Sequence, residues 1–419
     1  MLDRTIPPPF NRNSSFDLHK PEIKTLSDNV RVYFIPGGNQ DVIKIDFIFK
    51  AGRWFESSWG AAYFGAHLLS KGTKTKSSFE VAQIFDQYGA HLETNPGLDF
   101  VSISLYSLTR NLEPVFNLLI ELIREATFSE KEFDQLRSIY LQNLKVNNEK
   151  TGFLASKLFR KNLFGEQHPY GKEPDEKDVA ALTREQLITH FGKFYQDITV
   201  FVSGKIEESH KTLISSLFKT LPASTPGTAP SRVDSNKSVN QRENKQGSVQ
   251  ASIRLGKKSV LRSDKDYADV LFLSHILGGY FGSRLMKNIR EEKGLTYGIH
   301  ASLHALKHDS YLAIGADVDK ENIELTITEI KKELRKLREE PIDANELETA
   351  RSHFVGGLQS ELTTSFEHAE KIKTIVLFGL DNSYYNNLIE RIEKVSAADL
   401  QKTGERYFSE DSFLEIAVG

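Results

Sequence analysis

The sequence predicts an α+β protein of two homologous domains, each an antiparallel sheet covered by helices, closing as one half of a clam shell around a cavity. Two observations carry that expectation: an internal repeat, and a polar tether between its copies. In the first half, FVSISLYSLTRNLEPVFNLLIELIREA runs from Phe100 to Ala126, and in the second YLAIGADVDKENIELTITEIKKELRKLRE runs from Tyr311 to Glu339. Each reads as an alternating strand, a polar break at an asparagine (Asn111, Asn322), and a helix with apolar positions at a 3.6 period.

The next element also recurs. FSEKEFDQLRS from Phe128 and IDANELETARS from Ile342 both look like helix entries, with Ser129 and Asp343 as N-caps and Glu132 and Glu346 as capping-box partners. LTREQLITHFGKFY from Leu182 and VSAADLQKTGERYF from Val395 are each followed by a strand ending in glycine, at Gly204 and Gly419. The spacing hardly drifts, from 211 residues between the asparagines to 215 between the glycines. Residues 221–250, rich in Pro, Ser, Asn and charge, read as a linker. The expected organisation is therefore an extended segment 1–23, a first domain 24–220, the linker 221–250 and a second domain 251–419.

Composition narrows function mainly by exclusion. The chain has 419 residues, 39% hydrophobic and 26% charged, with a net charge of -3, so nothing points to nucleic acid or an anionic membrane. Without cysteine there are no disulfides, thiolate metal sites or cysteine nucleophiles. No stretch reaches 18 consecutive apolar residues, so no membrane span is expected. The polar, proline-rich start does not read as a signal peptide, which makes the cytoplasm the expected compartment, with the periplasm the alternative if a leader has been removed.

The first motif is GAAYFGAHLLSKGT, residues 60–73. It resembles the GLAHFLEHMLFKGT pattern of the insulinase/pitrilysin-like (M16, bacterial M16B type) zinc metallopeptidases at Gly60, Ala62, Phe64, His67, Leu69, Lys71, Gly72 and Thr73. In that pattern two histidines at i and i+4 share one helical face and one zinc, and the glutamate between them is the general base. Here the first histidine position is Tyr63, the glutamate position is Ala66, and only His67 remains. The resemblance places the third ligand, a glutamate in the family, at Asn143 in FDQLRSIYLQNLKVNNEK, beside Gln142. One imidazole and an amide do not make a zinc site, which needs three or four good ligands. No metal is expected in this chain. His67 and Tyr63 read best as packed side chains.

Further segments extend the resemblance from about residue 24 to the end. NVRVYFIPGGNQDVIKIDFIFKAGRWFES from Asn29 is similar to the family's two opening strands, and His168-Pro169-Tyr170-Gly171 to its HPYG turn. SRLMKNIREEKGLTYGI, residues 283–299, resembles its arginine–tyrosine motif, at Arg290 and Tyr297. Taken without the family, that stretch is a helix with a glycine stop and a charged face. The resemblance implies instead that Arg290 and Tyr297 bind the scissile carbonyl region and steady its oxyanion.

Together the motifs imply a non-catalytic subunit of a peptidase heterodimer, inactive alone and part of a zinc metalloendopeptidase complex. The implied partners are an H-x-x-E-H-bearing homologue that carries the zinc and a peptide substrate added to a sheet edge, with a homodimer as the assembly in isolation. Two alternatives stand beside this. One is a structural scaffold subunit of the core-protein type, with no role in proteolysis. The other is an active zinc metalloendopeptidase with an unrecognised metal site. His300, His304 and His308, spaced by four, read as strand or surface histidines.

Overall fold

The computed structural model describes residues 16–27, 30–218, 227–230 and 238–419. Parts of the expected N-terminal segment and linker, residues 1–15, 221–226 and 231–237, lie outside the described residues.

Two sheets organise the chain. The first contains β1 (Glu22–Ser27), β2 (Val30–Pro36), β3 (Val42–Phe49), β4 (His91–Pro96), β5 (Val101–Leu108) and β6 (Ile198–Gly204), in the order β1-β2-β6-β3-β5-β4. The second contains β7 (Gln241–Glu243), β8 (Gln250–Lys258), β9 (Ile299–Ala305), β10 (Ser310–Asp319) and β11 (Leu414–Val418), in the order β7-β11-β8-β10-β9. Leaving out β1, the two orders superimpose strand for strand, so the repeat seen in the sequence is a repeat of topology.

Two expectations need correction. The sheets are not wholly antiparallel, because β2 pairs parallel with β6 and β7 parallel with β11. The reason is geometric: β6 returns late in the chain and inserts between β2 and β3, which run opposite ways, so it must be parallel to one of them. The second correction concerns residues expected to be linker or extension. Within 221–250, residues 241–243 form an edge strand of the second sheet. Phe16 is buried in the second core, stacked on Tyr385 at 4.9 Å and held by the Asn386 amide.

Each half buries a helix-covered sheet face in its own apolar core. Helix Leu112–Glu125 turns Val115, Phe116, Leu119, Leu122 and Ile123 inward, and helix Ile323–Glu339 does the same with Ile327, Ile330, Leu334 and Leu337. Ser129 and Asp343 do cap the helices that follow, but neither capping box closes. Glu132 instead accepts from the Ser78 hydroxyl, and Glu346 holds Arg284 with two bonds of 2.7 and 2.9 Å.

The halves are interlocked by exchange of one helix each. Helix Thr151–Phe164 of the first half packs on β8 and β11 through Ala155, Leu158 and Phe159. Helix Ser365–Phe378 of the second packs on β2 and β6 through Ala369 and Ile372. A buried ionic cluster pins the second helix: Asp46 on β3 meets Lys44 at 3.1 Å and Lys373 at 2.9 Å, and Lys44 also meets Glu370 at 2.8 Å. Burial alone would raise the Asp46 carboxyl, but Lys373, Lys44 and the Ser104 hydroxyl hold it below the usual carboxylate range.

The HPYG turn is a second joint. Tyr170 is buried and its hydroxyl bonds to the Asp99 carboxylate, which also accepts from the Lys307 N–H of the second half at 2.9 Å. Trp54 stacks on His308 across the same seam at 4.1 Å. Gly171 is required there, since a Cβ would lie 2.1 Å from the Gly165 carbonyl oxygen.

Candidate functional site

The motif helix spans Ala61–Leu68 and starts from Gly60 at φ 96°. Its free N–H groups are met by Glu56, a buried carboxylate that accepts from Gly60 N at 3.2 Å and Ala62 N at 2.7 Å. No spacing rule in the sequence singled out Glu56, because it caps from four and six residues upstream.

Ala66 is fully buried and offers no donor atom. The Tyr63 ring meets His67 edge-on at 4.3 Å and Tyr140 at 4.9 Å. His67 is half-buried, and its Nδ1 lies 3.2 Å from the Thr94 hydroxyl on β4. Burial, and then the nearby Lys71 charge, push the imidazole below its ordinary value. Burial raises the Tyr63 and Tyr140 phenols, so both stay neutral. Asn143, on helix Glu130–Asn148, is exposed, and Tyr140, one turn earlier, is the residue that meets the motif helix. The four positions thus present a neutral phenol, a methyl group, a neutral imidazole and an outward amide. These do not fit zinc, whose sites need three or four deprotonated or imidazole ligands. Among the described residues no group of three or more His, Cys, Asp or Glu side chains is arranged to hold a metal ion.

The second motif is built differently. Arg290 sits in a π-helical segment, Met286–Glu292, with its guanidinium carbon 4.8 Å from the centre of the Phe281 ring. Phe281 is itself 61% exposed, so the stack faces solvent. The segment is anchored from below by buried Asn288, which donates to Glu329 at 3.0 Å and Glu333 at 2.7 Å and accepts from Lys293 at 2.8 Å. Tyr297 is 92% exposed, on the turn leading into β9. Its neighbour Thr296 pins that turn, donating to the Asp317 carbonyl at 2.7 Å and accepting from Gly298 N at 3.2 Å. Phe281, Asn288 and Thr296 carried no motif signal. Asn288 and Thr296 act partly through partners distant in the chain, Glu329, Glu333 and Asp317, while Phe281 meets Arg290 nine residues on.

Each motif abuts an edge strand of its own sheet, the helix at β4 and the π-helical segment at β9. A cavity of about 580 Å³ opens between β4, β5 and helix Ser365–Phe378, with Glu93, Asn95, Tyr106 and Lys373 on its walls. His300 and His304 lie on β9 and His308 in the turn after it, as strand and turn residues. No helix among the described residues is long and apolar enough to cross a membrane.

The molecule is a two-sheet, helix-exchanged α+β fold with a helix-borne histidine in one half and Arg290 and Tyr297 on one segment of the other. The chain belongs to the M16 peptidase family: residues 38–168 match the model of the insulinase family (peptidase family M16), and residues 181–354 that of the peptidase M16 inactive domain. It is 24% identical over 374 residues to an "Uncharacterized zinc protease" of Rickettsia bellii, covering 88% of this chain and 90% of that one. It is 22% identical over 358 residues to a "Non-peptidase homolog" of Helicobacter pylori, covering 81% and 80%. The fold matches the crystal structure of a peptidase M16 inactive domain from Pseudomonas fluorescens with a TM-score of 0.87 at 22% identity, over 95% of this chain and 98% of that one.

Proposed function

We propose that this chain is the zinc-lacking subunit of an M16-type peptidase heterodimer. On this reading Arg290 and Tyr297 act in trans, binding an extended peptide and stabilising the oxyanion formed at a partner's H-x-x-E-H zinc site. The observation that carries it is the contrast between the two motifs. The zinc positions have been filled by packing groups, Tyr63 and Ala66, while the Arg290–Phe281 stack and Tyr297 stand exposed on a firmly anchored segment. A guanidinium and a phenol fixed in place are donors that can be aimed at developing negative charge, and such groups act most strongly once a partner's surface excludes water. The zinc, the water it activates and the general base all belong to the partner. The non-peptidase name of the Helicobacter pylori relative is compatible with this reading.

Mixing the purified chain with an H-x-x-E-H M16 partner is expected to create peptidase activity that neither chain has alone. Arg290→Ala should then lower turnover by about 100- to 1,000-fold, with a smaller effect on peptide binding. An inactive mixture, or a silent substitution, would sink the mechanism and favour the scaffold reading.

A further inference from the structure

A cavity of about 540 Å³ lies between the end of helix Leu112–Glu125, the turn 126–128 and helix Arg184–Phe194, close to the C-terminal end of the first motif, where the Thr127 N–H donates to the Gly72 carbonyl at 3.2 Å. That volume falls in the range of about 300–1,000 Å³ typical of small-molecule sites. Its walls are apolar, from Ile123, Phe128, Ile188, Phe191 and Ile198 among others. Its polar rim is one-sided: Lys74, Arg124 and Arg184 all line it, and no aspartate or glutamate does.

Among the described residues Lys74, Arg124 and Arg184 form no ion pair with a carboxylate, a condition they share with other cations of the chain such as Lys71, Lys131 and Lys193. Arg184 spends Nε and one Nη on the carbonyls of Phe128 and Thr127, at 2.5 and 3.0 Å. Those two bonds hold the wall in place at a strained point, because Phe128 has φ 47°, the left-handed region that non-glycine residues avoid. Strain of that kind, over-determined by its surroundings, is typical of ligand sites.

We infer that this cavity binds a small organic anion with an apolar body, a free medium-chain carboxylate, its tail against Ile123, Ile188 and Phe191 and its carboxylate between Lys74 and Arg124. Cations without carboxylate partners around an apolar pocket supply the charge complement that such a ligand lacks in water.

The test uses the full chain, with decanoate as probe below its micelle concentration, read by calorimetry and by thermal unfolding. Saturable one-to-one binding and a raised melting temperature are expected. Decanol should bind more weakly, and a Lys74→Gln/Arg124→Gln variant should lose about tenfold or more in affinity while folding normally, since both side chains are exposed. Ile188→Glu, at another exposed position, should also abolish binding by placing a carboxylate at the rim. The inference fails if decanoate does not bind saturably, if binding survives these substitutions, or if only phosphatidylglycerol vesicles are bound.

Discussion

The Nδ1 atom of His67 lies 3.2 Å from the hydroxyl of Thr94, joining the motif helix to the edge strand β4. The imidazole makes a local contact here, at the edge of the Tyr63 ring. His67→Ala should therefore behave as the loss of one partly buried hydrogen bond, costing about 1 kcal/mol. In chemical denaturation the shift should be of that size, and the peptidase activity of the chain mixed with its partner should be unchanged. A collapse of that activity would show that His67 takes part in the chemistry.

Phe281 is expected to position Arg290 rather than to touch substrate chemistry itself. An exposed cation–π contact is worth about 0.5–1 kcal/mol, so Phe281→Ala should cost a few-fold in turnover, with little change in KM. In an Arg290→Ala background it should cost nothing further, and Phe281→Tyr should restore most of the loss. Equal losses in both backgrounds would give Phe281 a separate role.

Asp46 is 1% exposed and faces two lysines from different halves of the chain. Asp46→Asn removes the buried anion that Lys44 and Lys373 share and leaves them only the half-exposed Glu370, at 2.8 Å from each. Removing one partner of a buried ionic cluster typically costs about 3–5 kcal/mol, and the remaining pairing places this loss at the lower end. Urea unfolding should show that loss, with helix Ser365–Phe378 exchanging its amide protons faster than the two cores. A change below about 1 kcal/mol would mean that apolar packing alone docks the helix.

His190 supplies the pH dependence with the clearest sign. Its Nε2 donates to the Ala51 carbonyl at 2.9 Å, and burial, with Lys193 adding to it, pulls its pKa down to about 4. Above about pH 6.5 the ring is neutral in both folded and unfolded chains, and its contribution is flat. As pH falls, the unfolded chain takes up the proton first, so stability is lost between about pH 6.5 and 4, by about 3 kcal/mol at most. His190→Gln, which keeps an N–H for Ala51, should lessen the slope of the stability profile over that window by the share of one histidine, with His275, also pulled down to about 4 by burial, supplying a slope of its own. An unchanged slope would place the acid sensitivity elsewhere.

Much of this was legible before any coordinates. Strand and helix periodicity, the asparagine breaks and the N-caps are local signals, and they recur at a nearly constant spacing; that is why the repeat emerged as repeated strand order. The Tyr63 and Ala66 substitutions could be read directly, because which atoms a residue can offer a metal is written in its type. The parallel pairs β2–β6 and β7–β11 were missed because strand direction depends on where a late strand inserts, and no periodicity records that. The capping boxes at Glu132 and Glu346 failed because Ser78 and Arg284, distant in the chain, are better placed to bind those carboxylates.

By itself the sequence determined which segments fold and that they fold twice, since both follow from residue type and short-range spacing; that Tyr63, Ala66 and Asn143 stand at positions of a zinc site is what the family resemblance implies. Only the tertiary structure decided that the halves exchange helices, that Asn288 anchors the segment carrying Arg290 and Phe281 stacks against that arginine, and that Lys74, Arg124 and Arg184 line one cavity. Apart from the Phe281–Arg290 stack, nine residues apart, those relations join residues far apart in the chain, and only the packing of two sheets and their helices brings them within contact distance.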